Sequence, residues 1–242
     1  MSLTQLRQRV PGPIKWALRP LKRLVTTKGR EELLYWKTVP QPDPTARDDY
    51  YRRYLLGIAG ERDDSYVAGK VIADFGCGPM GSLTWARSAI ARIGIDVLSD
   101  LYADEFREAI QSHGMIYVKS TEKTIPLPTA YVDVMFTLNA MDHVDDFSTM
   151  CQEILRVIKP GGEFVGSFNL GEDPTICEPQ RLTEDVVKAT LLNHLEIVSY
   201  RTAPHGSEEN PYGALLEGTG SEPIPAGKHG YLWVRARKAE RP

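Results

Sequence analysis

The fold is decided by residues 71–82, which run Val-Ile-Ala-Asp-Phe-Gly-Cys-Gly-Pro-Met-Gly-Ser. The apolar run at 71–75 predicts a buried strand, and the glycines that follow it predict a tight turn leading into a helix. Because glycine has no Cβ atom, a ligand can approach the backbone of such a turn closely. The stretch therefore predicts a strand, a ligand-binding turn and a helix in succession.

Short apolar segments alternate with amphipathic ones on the C-terminal side of this stretch. The predicted strands are 71–75, 92–96, 115–119, 132–139, 163–169, 196–202 and 230–238, and the predicted helices are 48–60, 82–93, 98–112, 147–158 and 181–195. Alternation of this kind predicts a Rossmann-like, doubly wound α/β fold with a mostly parallel seven-stranded sheet. The last two strands have no helical pattern between them, so we expect an antiparallel C-terminal strand at one edge.

The chain length favours one catalytic domain at residues 61–242, with an insert at 204–229, preceded by an N-terminal helical lid or docking segment at 1–60. The first 30 residues carry eight Lys or Arg and no Asp or Glu, although the whole chain has a net charge of −3. Residues 13–27 predict a basic amphipathic helix, which either contacts a membrane surface or an anionic ligand, or packs on the domain. The remainder is acidic, which disfavours nucleic acid as a partner.

The cysteines and the apolar runs bear on location. Three scattered cysteines do not make a disulfide framework, and the sequence has neither a signal-peptide pattern nor an apolar run of eighteen residues. We therefore expect a cytoplasmic protein, with peripheral attachment to a membrane as the alternative.

The glycines at 76, 78 and 81 satisfy Gly-x-Gly-x-x-Gly, a spacing that also occurs in dinucleotide sites. Asp74 stands two residues before the first glycine, where its carboxylate would repel a pyrophosphate. Pro79 removes one backbone N–H from the turn. Both features favour a ligand that carries an ammonium and a sulfonium group.

From Val71 to Asn169 the sequence resembles the class I S-adenosylmethionine-dependent methyltransferases, which share the pattern acidic-x-Gly-x-Gly-x-Gly. The resemblance implies S-adenosyl-L-methionine as the cofactor, with Asp74, Gly76, Cys77 and Gly78 beside its methionine end. A small buried filler is the alternative role for Cys77.

Asp96 ends the second predicted strand, twenty residues after Gly76, where a carboxylate can accept hydrogen bonds from both ribose hydroxyls. The resemblance supports this role and places Val97 near the adenine, while a helix cap is the alternative for Asp96. Thr121 occupies the usual position of an acidic residue after the third strand, and the acid stands instead at Glu122. Either side chain, or backbone alone, can read the adenine amino group.

The fourth predicted strand ends in a polar segment, as ligand crevices of open α/β sheets do. The resemblance places Asn139 beside the methionine moiety. His143 is the candidate base for an acceptor hydroxyl, with Asp142 or Asp145 orienting it. The alternative is that Asp145 or Asp146 caps the next helix and His143 packs beside it.

No paired CxxC, HExxH or clustered His/Asp/Glu set is visible along the sequence, so no metal site is predicted from it. Polar and aromatic residues of the N-terminal region and of the insert are candidates for the acceptor pocket. They are Glu31, Tyr35, Trp36, Tyr50, Tyr51, His205 and Tyr212.

These features together predict a methyltransferase that acts on a small-molecule, sugar or lipid-linked acceptor. We expect an oxygen atom of the acceptor to be methylated. A natural-product or quinone-like acceptor is a further alternative. Two other classes remain open, a non-catalytic cofactor-binding or scaffold protein and an NAD(P)-dependent oxidoreductase.

Overall fold

A computed structural model of the protein describes residues 28–205, 213–216 and 221–240. Contacts divide the chain into two units, Met1–Val39 and Pro40–Pro242. The first contains helix α1, Lys28–Thr38. The predicted basic helix at residues 13–27 lies outside the described residues, so it stays a prediction.

The second unit is built on a seven-stranded sheet. Its strands are β1 Val71–Phe75, β2 Ala91–Asp96, β3 Ile116–Lys119, β4 Val132–Leu138, β5 Ile158–Leu170, β6 Glu196–Pro204 and β7 Gly230–Arg237. They lie in the order β3-β2-β1-β4-β5-β7-β6, and β7 runs antiparallel to both neighbours. The predicted Rossmann-like, mostly parallel sheet is thus confirmed. The antiparallel strand lies one position in from the edge, however, because β6 pairs with the outer side of β7.

The helices of this unit cover both faces of the sheet. They are α2 Pro44–Ala59, α3 Ser99–Glu105, α4 Arg107–Ser112, α5 Phe147–Val157, α6 Glu184–Thr190 and α7 Gly213–Leu216. The apolar stripe of α5 is buried against one face, and α2 buries Leu55 and Ile58 completely against the other. No described helix combines the length and apolar character that crossing a bilayer requires.

Helix α2 lies in the second unit, so the domain boundary differs from the predicted one. Asp43 caps its first turn by accepting a hydrogen bond from the Thr45 N–H at 2.9 Å, and Gly60 ends it in the left-handed conformation. Because α2 contributes buried side chains to the sheet's core, it belongs to the catalytic unit. The boundary therefore falls after Val39 and not at the predicted residue 60.

The predicted helix at residues 82–93 is wrong. Residues 82–90 form consecutive turns, in which the Thr84 hydroxyl donates to the Gly81 carbonyl at 2.8 Å and the Trp85 indole N–H donates to the Ser82 carbonyl at 2.9 Å. Side chains that bond nearby carbonyls compete with a helical ladder. The segment is also short, since β2 already begins at Ala91.

Two other predicted helices are shorter than expected. The segment 98–112 is divided between α3 and α4 at Phe106, and the segment 181–195 contains α6 followed by a 3-10 turn at Leu192–His194. Within the predicted insert, α7 packs its Leu216 side chain 3.4 Å from where a Cβ on Gly57 of α2 would lie.

A charged network ties the start of β5 to the end of β7. The buried Glu163 carboxylate accepts hydrogen bonds from the Tyr66 hydroxyl at 2.6 Å, from Arg235 Nε at 3.0 Å and from Arg237 at 2.8 Å. Burial raises the pKa of Glu163, but these donors outweigh it and the pKa is lowered. The network lies at the amino ends of the parallel strands, opposite the edge where ligands bind in such sheets.

Candidate active site

The glycine turn after β1 has no room for side chains at its first position. Gly76 has φ +73°, and a Cβ added there would lie 2.2 Å from the Cβ of Ala140, which follows β4. The Gly76 N–H donates to the Ile95 carbonyl at 2.8 Å. The turn is thereby held against the ends of β2 and β4, at the carboxyl edge of the sheet.

Asp74 is buried directly beneath this turn. One carboxylate oxygen accepts a hydrogen bond from the Ser82 hydroxyl, whereas Oδ1 is buried without a hydrogen-bond partner among the described residues. The pKa of Asp74 is raised to about 7. Burial is the main cause and the Asp96 carboxylate adds to it, whereas the hydrogen bond from Ser82 opposes the rise. A cation reaching this position would relieve both the repulsion and the unmet acceptor.

Asp96 links the end of β2 to the glycine turn. Its Oδ2 accepts a hydrogen bond from the Gly78 N–H at 3.1 Å, and its Oδ1 accepts one from the Leu98 N–H at 2.8 Å. The residue is 8% exposed. The carboxylate therefore closes the turn at the end of β2 and faces the glycine turn, while Val97 lies half-buried beside it. Helix α3 begins after Leu98 without a side-chain cap, so Asp96 is not the helix cap.

Cys77 has the surroundings of a packing residue. Its thiol is buried, and a Cβ on Gly94 of β2 would lie 2.7 Å from its Sγ atom. Burial, followed by the charges of Asp96 and Asp74, raises the pKa of this thiol well above its ordinary value. The thiolate is therefore disfavoured, which supports the filler role.

Thr121 and Glu122 differ in what they contact. The Thr121 hydroxyl accepts hydrogen bonds from the Lys123 and Thr124 N–H groups at 3.2 and 3.0 Å, so it closes its own turn. Glu122 Oε2 accepts a hydrogen bond from the Asp145 N–H at 3.3 Å. Glu122 thus reaches the loop after β4, and which of the two reads an adenine stays open.

Asn139, which directly follows β4, has an unusual backbone conformation. It has φ +48°, a conformation that non-glycine residues adopt seldom and that clusters at functional sites. The Asn139 N–H donates to the Ser167 Oγ at 3.1 Å, and the Ser167 hydroxyl donates back to Asn139 Oδ1 at 2.5 Å. Ser167, on β5, is the support that the sequence did not indicate.

The segment after Asn139 brings His143 between two acids. Its Nε2 lies 3.9 Å from Asp142 Oδ1 and 3.6 Å from Glu178 Oε1. Burial raises the pKa of Asp142 to about 6, against the lowering effect of His143, and Asp142 Oδ1 is buried without a hydrogen-bond partner among the described residues. Glu178 comes from the loop after β5, and nothing in the sequence pattern pointed to it.

Asp146, and not Asp145, caps helix α5. Its Oδ1 accepts a hydrogen bond from the Thr149 N–H at 3.0 Å at the start of α5. The cap leaves Asp142 and His143 on the 3-10 turn before it, Met141–His143. The cap of α5 therefore does not involve His143.

A second support lies behind the glycine turn. Gly81 has φ +78°, and a Cβ there would lie 2.8 Å from the His113 ring, which is joined to the Tyr117 hydroxyl at 2.6 Å from Nδ1. Burial, followed by the Arg47 charge, lowers the pKa of His113 to about 4. A neutral His113 therefore braces the turn, and its spacing from Gly81 gave no sequence signal.

The predicted acceptor-pocket residues are scattered over the chain. Tyr50 and Tyr51 lie on α2, with Tyr50 46% exposed, and the Tyr50 ring meets Tyr54 edge to face. His205 follows β6. Glu31, Tyr35 and Trp36 lie in the first unit, on α1, and Tyr212 lies outside the described residues.

Comparison with known proteins finds a methyltransferase domain in the middle of the chain. Residues 73–166, which hold the glycine turn, Asp96 and the end of β4, match the family model described as a methyltransferase domain. Over this part of its length the chain is similar to the S-adenosylmethionine-dependent methyltransferases. The family's use of S-adenosylmethionine agrees with the buried acids that the geometry places around the turn.

Individual relatives match parts of this chain. A malonyl-[acyl-carrier protein] O-methyltransferase of Enterobacter lignolyticus is 29% identical over 92 residues, which are 38% of this chain and 36% of that protein. Among solved structures, geranyl diphosphate methyltransferase in complex with SAM has a TM-score of 0.55 at 17% identity, covering 79% of this chain and 85% of that one. The [4+2]-cyclase SpnF has a TM-score of 0.55 at 21% identity, covering 77% and 80%.

These likenesses have different weight. The chain spans between 36% and 56% of the length of the curated relatives it matches. The two solved structures are too distant in sequence to show more than the fold. The comparisons therefore support a methyltransferase domain at residues 73–166 and do not give the acceptor.

Proposed function

We propose that this chain binds S-adenosyl-L-methionine across the carboxyl ends of β1, β2 and β4 and transfers its methyl group to a hydroxyl of a small-molecule acceptor. The observation that carries the proposal is the buried pair of acids around the glycine turn. Asp74 offers the unpartnered Oδ1 to the ammonium group, and Asp96, bonded to the Gly78 N–H, offers acceptors to the ribose hydroxyls. Glu122 or Thr121 reads the adenine, and Asn139 lies beside the methionine chain.

When bound, S-adenosylmethionine would supply an electrophilic methyl carbon, so that a bond from the acceptor oxygen would form as the methyl–sulfur bond breaks and S-adenosylhomocysteine leaves. The chain's own contribution is to align the two partners and to remove the acceptor's proton. His143 takes that proton as the methyl–oxygen bond forms, and the charges of Asp142 and Glu178 stabilise the resulting imidazolium.

The acceptor class is proposed from the charge of the N-terminal segment. We propose a sugar or lipid-linked hydroxyl, supported by the basic segment at residues 1–30, which would bring the chain to an anionic membrane surface from the cytoplasm. Natural-product or quinone-like hydroxyls are the next to test. Sedimentation with anionic vesicles in low and high salt tests the membrane contact, because screening must weaken it. Neutralising Arg19, Lys22 and Arg23 to Gln should reduce the salt-dependent part of vesicle binding, and equal binding to neutral vesicles would contradict the membrane contact.

Cofactor binding is tested by calorimetric titration with S-adenosylmethionine, S-adenosylhomocysteine and NAD. We expect the first two to bind and to raise the melting temperature, since a ligand of the folded state stabilises it. Asp96→Asn should weaken both, whereas Asp100→Asn, which removes an exposed partner of Lys119, should not. Binding of NAD alone would overturn the proposal.

Methyl transfer is tested by incubating metabolite extracts with methyl-labelled cofactor and identifying the labelled product by mass. His143→Ala should lower turnover by about 10²–10⁴-fold with cofactor affinity unchanged, because the imidazole acts on the acceptor's proton. His194→Ala, which removes an exposed histidine, is the matched control. Cofactor binding without transfer to any extract would favour a non-methylating role for the fold instead.

A further inference from the structure

Three strands bring two histidines and a glutamate to one place at the carboxyl edge of the sheet. In the register of the sheet, Gly230 at the start of β7 pairs with Leu170 of β5 on one side and with Pro204 of β6 on the other. Glu172 follows β5, His205 follows β6 and His229 precedes β7. The three side chains therefore extend from adjacent strands just beyond their common end.

The backbone holds these residues together. The His205 N–H donates to the His229 carbonyl at 2.9 Å, which fixes the two histidines side by side. Gly171 has φ +81°, and a Cβ there would lie 3.0 Å from the Lys228 carbonyl oxygen. Because glycine at this position allows the chain after β5 to pass close to β7, Glu172 reaches the two imidazoles.

The donor atoms lie within metal-binding reach of one another. One ligand atom from each of Glu172, His205 and His229 lies within 4.8 Å of the others, and His205 Nε2 lies 3.8 Å from Glu172 Oε1. Zinc binds imidazole nitrogen and carboxylate oxygen at about 2.0–2.2 Å, so tetrahedral ligand atoms lie about 3.3 Å apart. Small side-chain rotations close the difference.

Among the described residues, one of the two ring nitrogens of His205 has no hydrogen-bond partner. His205 Nε2 is buried and makes no hydrogen bond within the part of the chain that the structure describes. Leaving such a group unpaired costs free energy, and a metal ion is one partner that removes the cost. This observation points to a ligand independently of the three-residue cluster.

Aromatic packing orients the same imidazole. The His205 ring stacks on Tyr231 with centroids 4.1 Å apart and planes inclined by 30°, and Tyr231 in turn stacks on Trp233. Packing of this kind fixes a ligand's ring and limits the access of water, which strengthens metal binding. His229 is exposed, so an ion can enter from solvent.

We propose that Glu172, His205 and His229 form a binding site for a divalent transition metal ion, for which zinc is the best match. Two imidazoles and one carboxylate are a common zinc set and leave a coordination position for water or for an oxygen of a bound molecule. The position lies at the same edge of the sheet as the end of β4, where acceptor chemistry is proposed. The metal site itself does not depend on that chemistry.

A second cluster of metal-binding residue types, Asp142, His143 and Glu178, is the competitor within the described residues. It offers two carboxylates and one imidazole, and its buried Asp142 oxygen also lacks a partner. Zinc favours nitrogen more than harder cations do, so the two-histidine cluster is the better zinc site. The test below separates the two.

The experiment uses tag-free, full-length protein stripped with a chelator, titrated with Zn²⁺ by calorimetry and with Co²⁺ by visible absorption. We expect one tight site and the intense Co²⁺ bands of low coordination number. His205→Ala and His229→Ala should each weaken Zn²⁺ binding by more than about tenfold, since losing a ligand costs at least as much as losing an outer-shell partner. Glu172→Gln should weaken it in the same direction.

Controls keep the result interpretable. His194→Ala should bind like the parent, and His143→Ala should too, because its imidazole belongs to the other cluster. His229 is exposed, so His229→Ala should keep the parent's circular dichroism even if His205→Ala does not fold. The proposal is overturned if the parent takes up neither ion, if His229→Ala binds as the parent does, or if only His143→Ala loses binding.

Discussion

Replacing Asp74 with asparagine separates what this residue does for the fold from what it does for the cofactor. Asn keeps the shape of the side chain and a partner for Ser82 but carries no charge. Because Asp74 is buried beside Asp96 with Oδ1 unpartnered, its ionised form destabilises the ligand-free protein. We therefore expect Asp74→Asn to stabilise the free protein and to weaken cofactor binding.

The magnitude follows from the pKa. Burial raises the pKa of Asp74 from 3.8 to about 7. Since one unit of pKa corresponds to about 1.4 kcal/mol, ionised Asp74 costs the free fold about 4 kcal/mol. A raised carboxyl pKa contributes stability that is fully present below the unfolded value and is lost as pH rises towards 7. The advantage of Asp74→Asn should therefore grow from pH 4 to pH 7 and stay level above it.

Cofactor binding should show the opposite preference. An ammonium group beside Asp74 favours the carboxylate, so binding releases a proton below pH 7 and the parent's affinity rises by up to about tenfold per pH unit there. Asp74→Asn should lack this rise and should bind more weakly at pH 8 by about 1.5–3 kcal/mol, the value of a hydrogen bond to a charged group.

The assays are urea unfolding of the free protein and calorimetric titration with S-adenosylmethionine, each from pH 5 to pH 8. Asp142→Asn is run in parallel, because burial also raises the pKa of Asp142 to about 6, and Asp100→Asn is the exposed control. A free Asp74→Asn protein that is less stable than the parent at pH 8, together with unchanged cofactor affinity, would refute this account of Asp74.

Three further predictions follow from the same geometry. Asp96→Ala should weaken cofactor binding by about 1–3 kcal/mol in calorimetry, and unchanged affinity would leave Asp96 only its role in closing the turn after β2. Gly76→Ala should cost more stability in urea unfolding than Gly60→Ala, because both have positive φ but only Gly76 faces a neighbour, Ala140 at 2.2 Å, and overpacking adds about 1–3 kcal/mol. Glu163→Ala should cost about 3–5 kcal/mol, and since its lowered pKa means that this stability is lost as pH falls through the acid range, the difference from the parent should shrink on acidification.

The sheet could be predicted because its signal is local. Strands buried on both faces are nearly continuous apolar runs, as at residues 71–75 and 132–138, where only Asp74, Asp133 and Thr137 are polar. The helix expected at residues 82–93 failed for a reason that the pattern hides. Thr84 and Trp85 satisfy nearby carbonyls with side chains, and a helical period cannot reveal that competition.

The site residues also divide into those that local sequence signals predict and those that only the folded chain reveals. Asp74 and Asp96 lie at the ends of β1 and β2, and Gly76 and Asn139 directly follow β1 and β4, so strand order alone brings them to one edge. Glu178 and Ser167 reach His143 and Asn139 only through folding of later segments. The proposed metal ligands stand far apart in sequence, at 172, 205 and 229, and only the register of β5, β7 and β6 makes them neighbours.

The distribution of unmet polar atoms separates the two ends of this sheet. At the amino ends of the parallel strands, the buried Glu163 is fully surrounded by donors. Of the four buried side-chain atoms without partners in the described parts of the chain, three lie at the carboxyl edge: Asp74 Oδ1, Asp142 Oδ1 and His205 Nε2. Each such atom costs free energy, and a bound molecule or ion that supplies the missing partner removes that cost. Two unmet carboxylates and one unmet imidazole fit cations at this edge, in agreement with a sulfonium cofactor beside Asp74 and a metal ion beside His205.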